Sequence, residues 1–196
     1  MLPKRSKVRA VKHHEAMPYA ELPKFMSALA LRTATAASAL RFLILTAART
    51  SEALDAKWDE IDLEAKLWTV PASRMKGGSE HRVPLSDAAT AELEKMRAIR
   101  QNDYIFPGER GSKLSNMALL MLLRRMNVDV TTHGFRSSFR DWAGEETHFP
   151  REVCEAALAH SIENKTEKAY RRGTALEKRR ALMQAWGVFL MESAAP

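Results

Sequence analysis

Apolar residues recur at helical spacing through "PYAELPKFMSALA" and again through "TATAASALRFLILTAA", and Arg32 with Thr33 marks a break between two helices. In the following "RTSEALDAKW", Thr50 or Ser51 can cap a short helix, with Glu52 in the first turn where an acid suits the helix dipole. Arg49 then falls in the corner between helices. The period changes in "KLWTVP" and "HRVPLS", which alternate like strands, and the Gly77-Gly78 pair between them predicts a hairpin turn with Lys76 near its tip.

Helical spacing returns in "SDAATAELEKMRAIR", which opens on a serine cap, and in "LSNMALLMLLRRM" after a brief "YIFPG". Phe135, Phe139 and Trp142 fall at i, i+4 and i+7 and predict the buried stripe of a further helix, while His133 and Arg136 share a neighbouring face. Pro150 suits the first turn of a helix over "REVCEAALA" that ends near His160. The final helices run from about Lys165 to the end, with an interruption around Gly173. The fold class expected is therefore mainly α with one small antiparallel β-sheet, an α+β domain.

Composition changes this picture in a few respects. The chain has 196 residues, enough for one domain with its own hydrophobic core. A formal charge of +7 points toward a polyanionic partner. The single Cys154 excludes an intrachain disulfide, fits a reducing cytoplasm and reads as a small core residue. No segment is long enough for a transmembrane helix, and the N-terminal "MLPKRSKVRAVKHH" lacks the apolar run of a secretory signal, so residues 1–16 read as a basic arm or linker. The acids of "WDEIDLEAK" read as a solvated loop rather than one half of a two-metal site, and "KHHEA" lacks the zinc-protease spacing. Neither a metal nor another cofactor is expected.

Taken singly, each polar residue has an ordinary structural reading. Arg49 can pair with Glu52, Lys76 can be solvated beside its turn, His133 and His160 can be caps or core histidines, and Arg136 can bridge acids. Tyr170, in "ENKTEKAYRRG", is harder to explain, because it has few apolar neighbours in sequence to bury its ring against. In chain order, however, these residues form "TAARTSEAL", a lysine at a hairpin tip, "HGFR", "LAHS" and "TEKAYRR", with the tyrosine ten positions after His160. This ordered set resembles the tyrosine recombinase, or phage integrase, family over nearly the whole chain. The first stretch is similar to the family's TGxRxxE-like box and the third to its HxxR box.

The resemblance implies the family's catalytic-domain fold over residues 17–196 and a set of roles. Arg49, Arg136 and His160 would surround the non-bridging oxygens of a DNA phosphate, since forked guanidinium groups match phosphate geometry and stay charged. His133 would assist as general acid or base, Lys76 would protonate the departing 5′ oxygen, and Tyr170 would be the nucleophile. Arg74 and Arg171 are expected as further DNA contacts. Double-stranded DNA is the implied partner of a protein monomeric alone and tetrameric on DNA when full-length; the chain reads as the catalytic domain cut from such a protein. One departure stands out: Ala159 occupies the place of the family's usual glycine before His160. The alternatives are a type IB topoisomerase using the same phosphotyrosine chemistry, and a DNA-binding module of this fold without the reaction.

Overall fold

The computed structural model describes residues 16–108, 111–160 and 174–192. Tyr170, Arg171 and nearly all of the basic arm therefore lie outside the described residues, as does the helix expected from Lys165. Within them the order is α1 (Leu22–Ala30), α2 (Thr35–Thr46), α3 (Thr50–Leu54), β1 (Ile61–Asp62), β2 (Leu67–Val70), β3 (His81–Pro84), α4 (Asp87–Ala98), α5 (Asn116–Arg125), α6 (Gly134–Glu145), α7 (Arg151–Ala157) and α8 (Thr174–Met191). No helix among the described residues is long and apolar enough to cross a membrane.

Helix α2 is the axis of the fold. Its sequence is apolar on nearly every side, and residues from Ala39 to Thr46 are all buried, as expected of a helix surrounded by others. It packs against α1, α3, α4, α5 and α8. Its one charged side chain, Arg41, is 8% exposed and meets the 1%-exposed Glu92 of α4 at 3.0 Å, so the charge enters the core only as a pair.

The sheet is antiparallel in the order β1-β2-β3, with Ile61 opposite Trp68 and Val70 opposite His81. Trp68 fixes it to the core, its ring packing 5.1 Å from that of Phe42 on α2. The link between β2 and β3 spans residues 71–80: a 3-10 turn over Ala72–Arg74 is followed by a turn closed by the Gly78 N–H on the Met75 carbonyl at 3.0 Å, so Lys76 and the glycine pair sit at the expected hairpin turn, with Gly78 at φ +62°. One expectation needs correction here. The acid-rich stretch read as a loop supplies β1 instead, and Glu60 beside it accepts the indole N–H of Trp68 at 3.0 Å.

Helix α8 folds back onto its own domain. Trp186 is fully buried against Phe139 and Trp142 of α6, and its indole N–H donates to the Ile44 carbonyl of α2 at 2.9 Å. Close approach to α4 depends on Gly187, where an added Cβ would lie 2.6 Å from Ser86 Oγ. Ser86 is itself buried and caps α4 by accepting the Ala89 N–H, so it has little room to yield. Gly187→Ala is therefore expected to cost about 1–3 kcal/mol, read as a lower midpoint in chemical denaturation with an unchanged slope.

Candidate active site

Two helix ends build the centre of the site. At the end of α2, Ala47 adopts φ +48° and the Ala48 N–H returns to the Leu43 carbonyl. At the end of α7, Ala159 adopts φ +50°, the Ala159 N–H returns to Ala156 and the His160 N–H to Glu155. Both are Schellman terminations, in which one left-handed residue reverses the chain and satisfies the last carbonyls. Glycine is the usual occupant because a Cβ is strained in that conformation, which accounts for the glycine expected before His160. Ala159→Gly is accordingly expected to raise stability by about 0.5–1 kcal/mol, after the larger entropy of the unfolded glycine chain is subtracted. Thermal unfolding measures this directly.

The carbonyls at these two ends converge on Arg136. From the first turn of α6, its guanidinium donates to Ala47 O and, at 2.7 Å, to Leu158 O, while the side chain is 5% exposed overall. Among the described residues it forms no ion pair with a carboxylate. The negative ends of α2 and α7 hold it in place of an acid. Burial, then the Arg49 charge, press its pKa down to about 10, with Glu52 acting in the opposite sense, so it remains a cation at neutral pH. Of the HxxR pair, Arg136 is buried, whereas His133 sits exposed at the N-cap position of α6.

Arg49 reaches the same region from α3. It occupies the N-cap position itself, where Thr50 or Ser51 was expected, and buried Glu52 supplies the cap: one carboxylate oxygen accepts the Arg49 N–H at 2.9 Å and the other its Nη1 at 2.7 Å. Thr50 and Thr132 join hydroxyls at 2.8 Å, tying this corner to the residue before His133. His160 follows α7, whose expected first-turn Pro150 is its N-cap. The imidazole Nε2 lies 3.3 Å from Arg136 Nη2, and Nδ1 lies 2.6 Å from the Glu155 carboxylate.

The hairpin contributes two residues of different character. Lys76 is exposed on the 71–80 connection. Arg74 is turned inward, donating to the Glu52 carbonyl at 3.1 Å and pairing with Glu60, so it braces the hairpin against α3. Sequence reasoning passed over Glu60, Glu155 and His81. Burial, then the Arg179 charge, press His81 down to about 4, so it is neutral beside this cluster of cations. Among the described residues no group of three or more His, Cys, Asp or Glu is placed to hold a metal.

A mainly helical domain with a three-stranded sheet, in which Arg49 from α3, Arg136 from α6 and His160 after α7 come together, defines the class as a tyrosine recombinase catalytic domain. Residues 15–177 match the Phage integrase family, and the chain belongs to it. Prophage integrase IntA of Escherichia coli (strain K12) is 39% identical over 175 residues, covering 85% of this chain and 42% of IntA, so the chain spans less than half of that relative. In fold, the integrase from mycobacterium phage Brujita superimposes with a TM-score of 0.69 at 20% identity, covering 99% of this chain and 66% of that one. A lambda integrase tetramer bound to a Holliday junction gives 0.58 at 17% identity, over 79% and 48% of the two chains.

Proposed function

We propose that this protein breaks and rejoins DNA strands through a covalent phosphotyrosine, with residues 17–196 as the catalytic unit and residues 1–16 as a basic arm. The observation that carries this reading is the state of Arg136: a buried cation held by two neutral carbonyls, beside Arg49 and His160, has its ligands fixed but its charge left for an anion. A phosphodiester satisfies that charge, and the forked guanidinium matches its non-bridging oxygens.

In the proposed reaction the Tyr170 oxygen attacks phosphorus, the bond to the 5′ oxygen breaks, and Lys76 delivers the proton that leaves with the 5′ hydroxyl. Phenols ordinarily have a pKa of about 10, so the Tyr170 hydroxyl loses its proton as the P–O bond forms, with His133 assisting as general acid or base in this reading. Arg49, Arg136 and His160 stabilise the extra negative charge of the five-coordinate phosphorus, where preorganised donors have their largest effect. The product is a 3′-phosphotyrosyl strand. Its bond preserves the energy of the phosphodiester, so a 5′ hydroxyl from another strand reverses the step without ATP. Assembly as a monomer alone and a tetramer on DNA is part of the same proposal, as is DNA contact by Arg171.

The test is covalent trapping on a pool of nicked duplexes with randomised sequence, where the short fragment released by cleavage diffuses away and prevents religation. The wild type is expected to give a protein–DNA adduct stable to denaturant, undiminished by EDTA, and Tyr170→Phe none. A DNA-binding module without the reaction would shift the duplex and give no adduct. Relaxation of supercoiled plasmid without sequence preference would favour the topoisomerase alternative, and an adduct persisting in Tyr170→Phe would defeat the proposed chemistry.

A further inference from the structure

We infer that Glu155 is the positioning residue of His160: its carboxylate holds Nδ1–H, so that the Nε2 edge of the ring is the one presented to the phosphate site. The inference rests on the phosphate-binding role proposed above and goes beyond it, because it names the group that sets the ring's orientation and tautomer.

The geometry leaves one self-consistent assignment of protons. A guanidinium has donors and no acceptor, so the 3.3 Å contact between Arg136 Nη2 and His160 Nε2 requires a lone pair on Nε2. An ionised carboxylate has acceptors and no donor, so the 2.6 Å contact between Glu155 and Nδ1 requires the hydrogen on Nδ1. Both contacts are satisfied only by the neutral Nδ1–H tautomer. When a phosphate oxygen faces Nε2 in place of the guanidinium, that nitrogen must carry a proton to donate, while the carboxylate keeps its hold on Nδ1–H behind the ring.

Glu155 is itself held. Its second oxygen accepts from Arg140 Nε at 2.8 Å and lies 2.7 Å from Arg140 Nη2, with only 14% of its side chain exposed. Burial acts to raise its pKa, but the hydrogen bonds from His160 and Arg140 outweigh it and keep the group ionised below the usual range. Arg140 stands one helical turn after Arg136 on α6, so one face of that helix meets both sides of the arrangement: Arg136 at Nε2, Arg140 at the carboxylate. The ring is thereby fixed between two arginines of one helix through one acid of another. The Schellman turn makes this possible, since the left-handed Ala159 swings His160 back over the helix and returns its N–H to the Glu155 carbonyl at 3.0 Å.

The direct test is the ring's tautomer in the 196-residue chain labelled with ¹⁵N-histidine, read from long-range proton–nitrogen correlations at a pH where the histidines are neutral. His160 is assigned by the signal lost in His160→Gln. The expected result is a pyrrole-like Nδ1 and a pyridine-like Nε2; the reverse pattern, or the averaged pattern of a freely exchanging ring, overturns the inference. Single-turnover cleavage of the nicked pool gives the second readout. Glu155→Gln, whose amide oxygen still accepts Nδ1–H, should stay within about threefold of wild type, whereas Glu155→Leu should fall by about 10–100-fold with DNA affinity nearly unchanged. Equal rates for wild type and Glu155→Leu, or an equal loss in both variants, overturn it as well. The tautomer is read without DNA and without a variant at Glu155, so it decides the inference even if Glu155→Leu fails to fold. Absence of adducts from the wild type counts instead against the proposed reaction.

Discussion

Arg136→Ala is expected to reduce single-turnover cleavage by about 10²–10³-fold or more, in line with the loss of one preorganised donor at a developing oxyanion, and to destabilise the fold at the same time. The two effects share a cause. Its guanidinium ties Ala47 O at the end of α2 to Leu158 O at the end of α7, so truncation leaves two helix-terminal carbonyls without their donor. Orphaning buried polar groups costs about 1–3 kcal/mol each where water cannot replace the partner. A chain of this size then melts several degrees lower, at roughly 2–4 °C per kcal/mol. Arg136→Lys separates the effects. A single ammonium keeps the charge but cannot span both carbonyls and a phosphate in one plane, so it should recover part of the stability and little of the activity. Full activity in the lysine variant would show that charge alone suffices and that the planar fork has no special role.

The second large effect is expected at Lys76. Lys76→Ala should slow cleavage by about 10²–10⁴-fold, the usual range for a lost general acid. The deficit should nearly vanish on a substrate whose 5′-bridging oxygen is replaced by sulfur, because a thiolate departs without a proton. Lys76 stands exposed on the connection between β2 and β3, where a flexible ammonium can follow a leaving group, while Arg74 anchors the base of that connection to Glu60 and to the Glu52 carbonyl. Equal deficits on oxygen and sulfur substrates would remove Lys76 from the protonation step and leave it as a DNA contact.

The helices were legible because their signal is periodic. Phe135, Phe139 and Trp142 announced the buried stripe of α6, and the unbroken apolar run through Phe42 to Leu45 announced a helix covered on all sides. Order along the chain was enough to bring Arg49, Arg136 and His160 together as candidates. The features that stayed hidden depend on groups distant in sequence. Strand β1 has two residues and an acidic neighbourhood, and it forms because β2 offers it an edge and Glu60 has Trp68 and Arg74 to satisfy. The glycines at 77 and 78 announce the turn that closes on Met75, whereas the inward pairing of Arg74 with Glu60 and the Glu52 carbonyl depends on partners distant in sequence.

The left-handed residues were hidden for a different reason. Ala47 and Ala159 give no turn signal of their own, and their φ values follow from the helices they terminate and the carbonyls that Arg136 requires. Glu155 was passed over for the same reason. Five positions before His160, it is no neighbour on a regular helix and becomes one only after the chain reverses at Ala159.

Mass spectrometry of the trapped adduct is the most direct measurement of the central claim. Digestion after glutamate releases residues 168–177, a peptide containing Tyr170 and no other tyrosine. After nuclease trimming, that peptide is expected to carry a 3′-linked nucleotide on the Tyr170 oxygen, with a free 5′ hydroxyl on the released strand. A nucleotide on any other residue, or a 5′ phosphate on the released strand, would contradict the proposed chemistry.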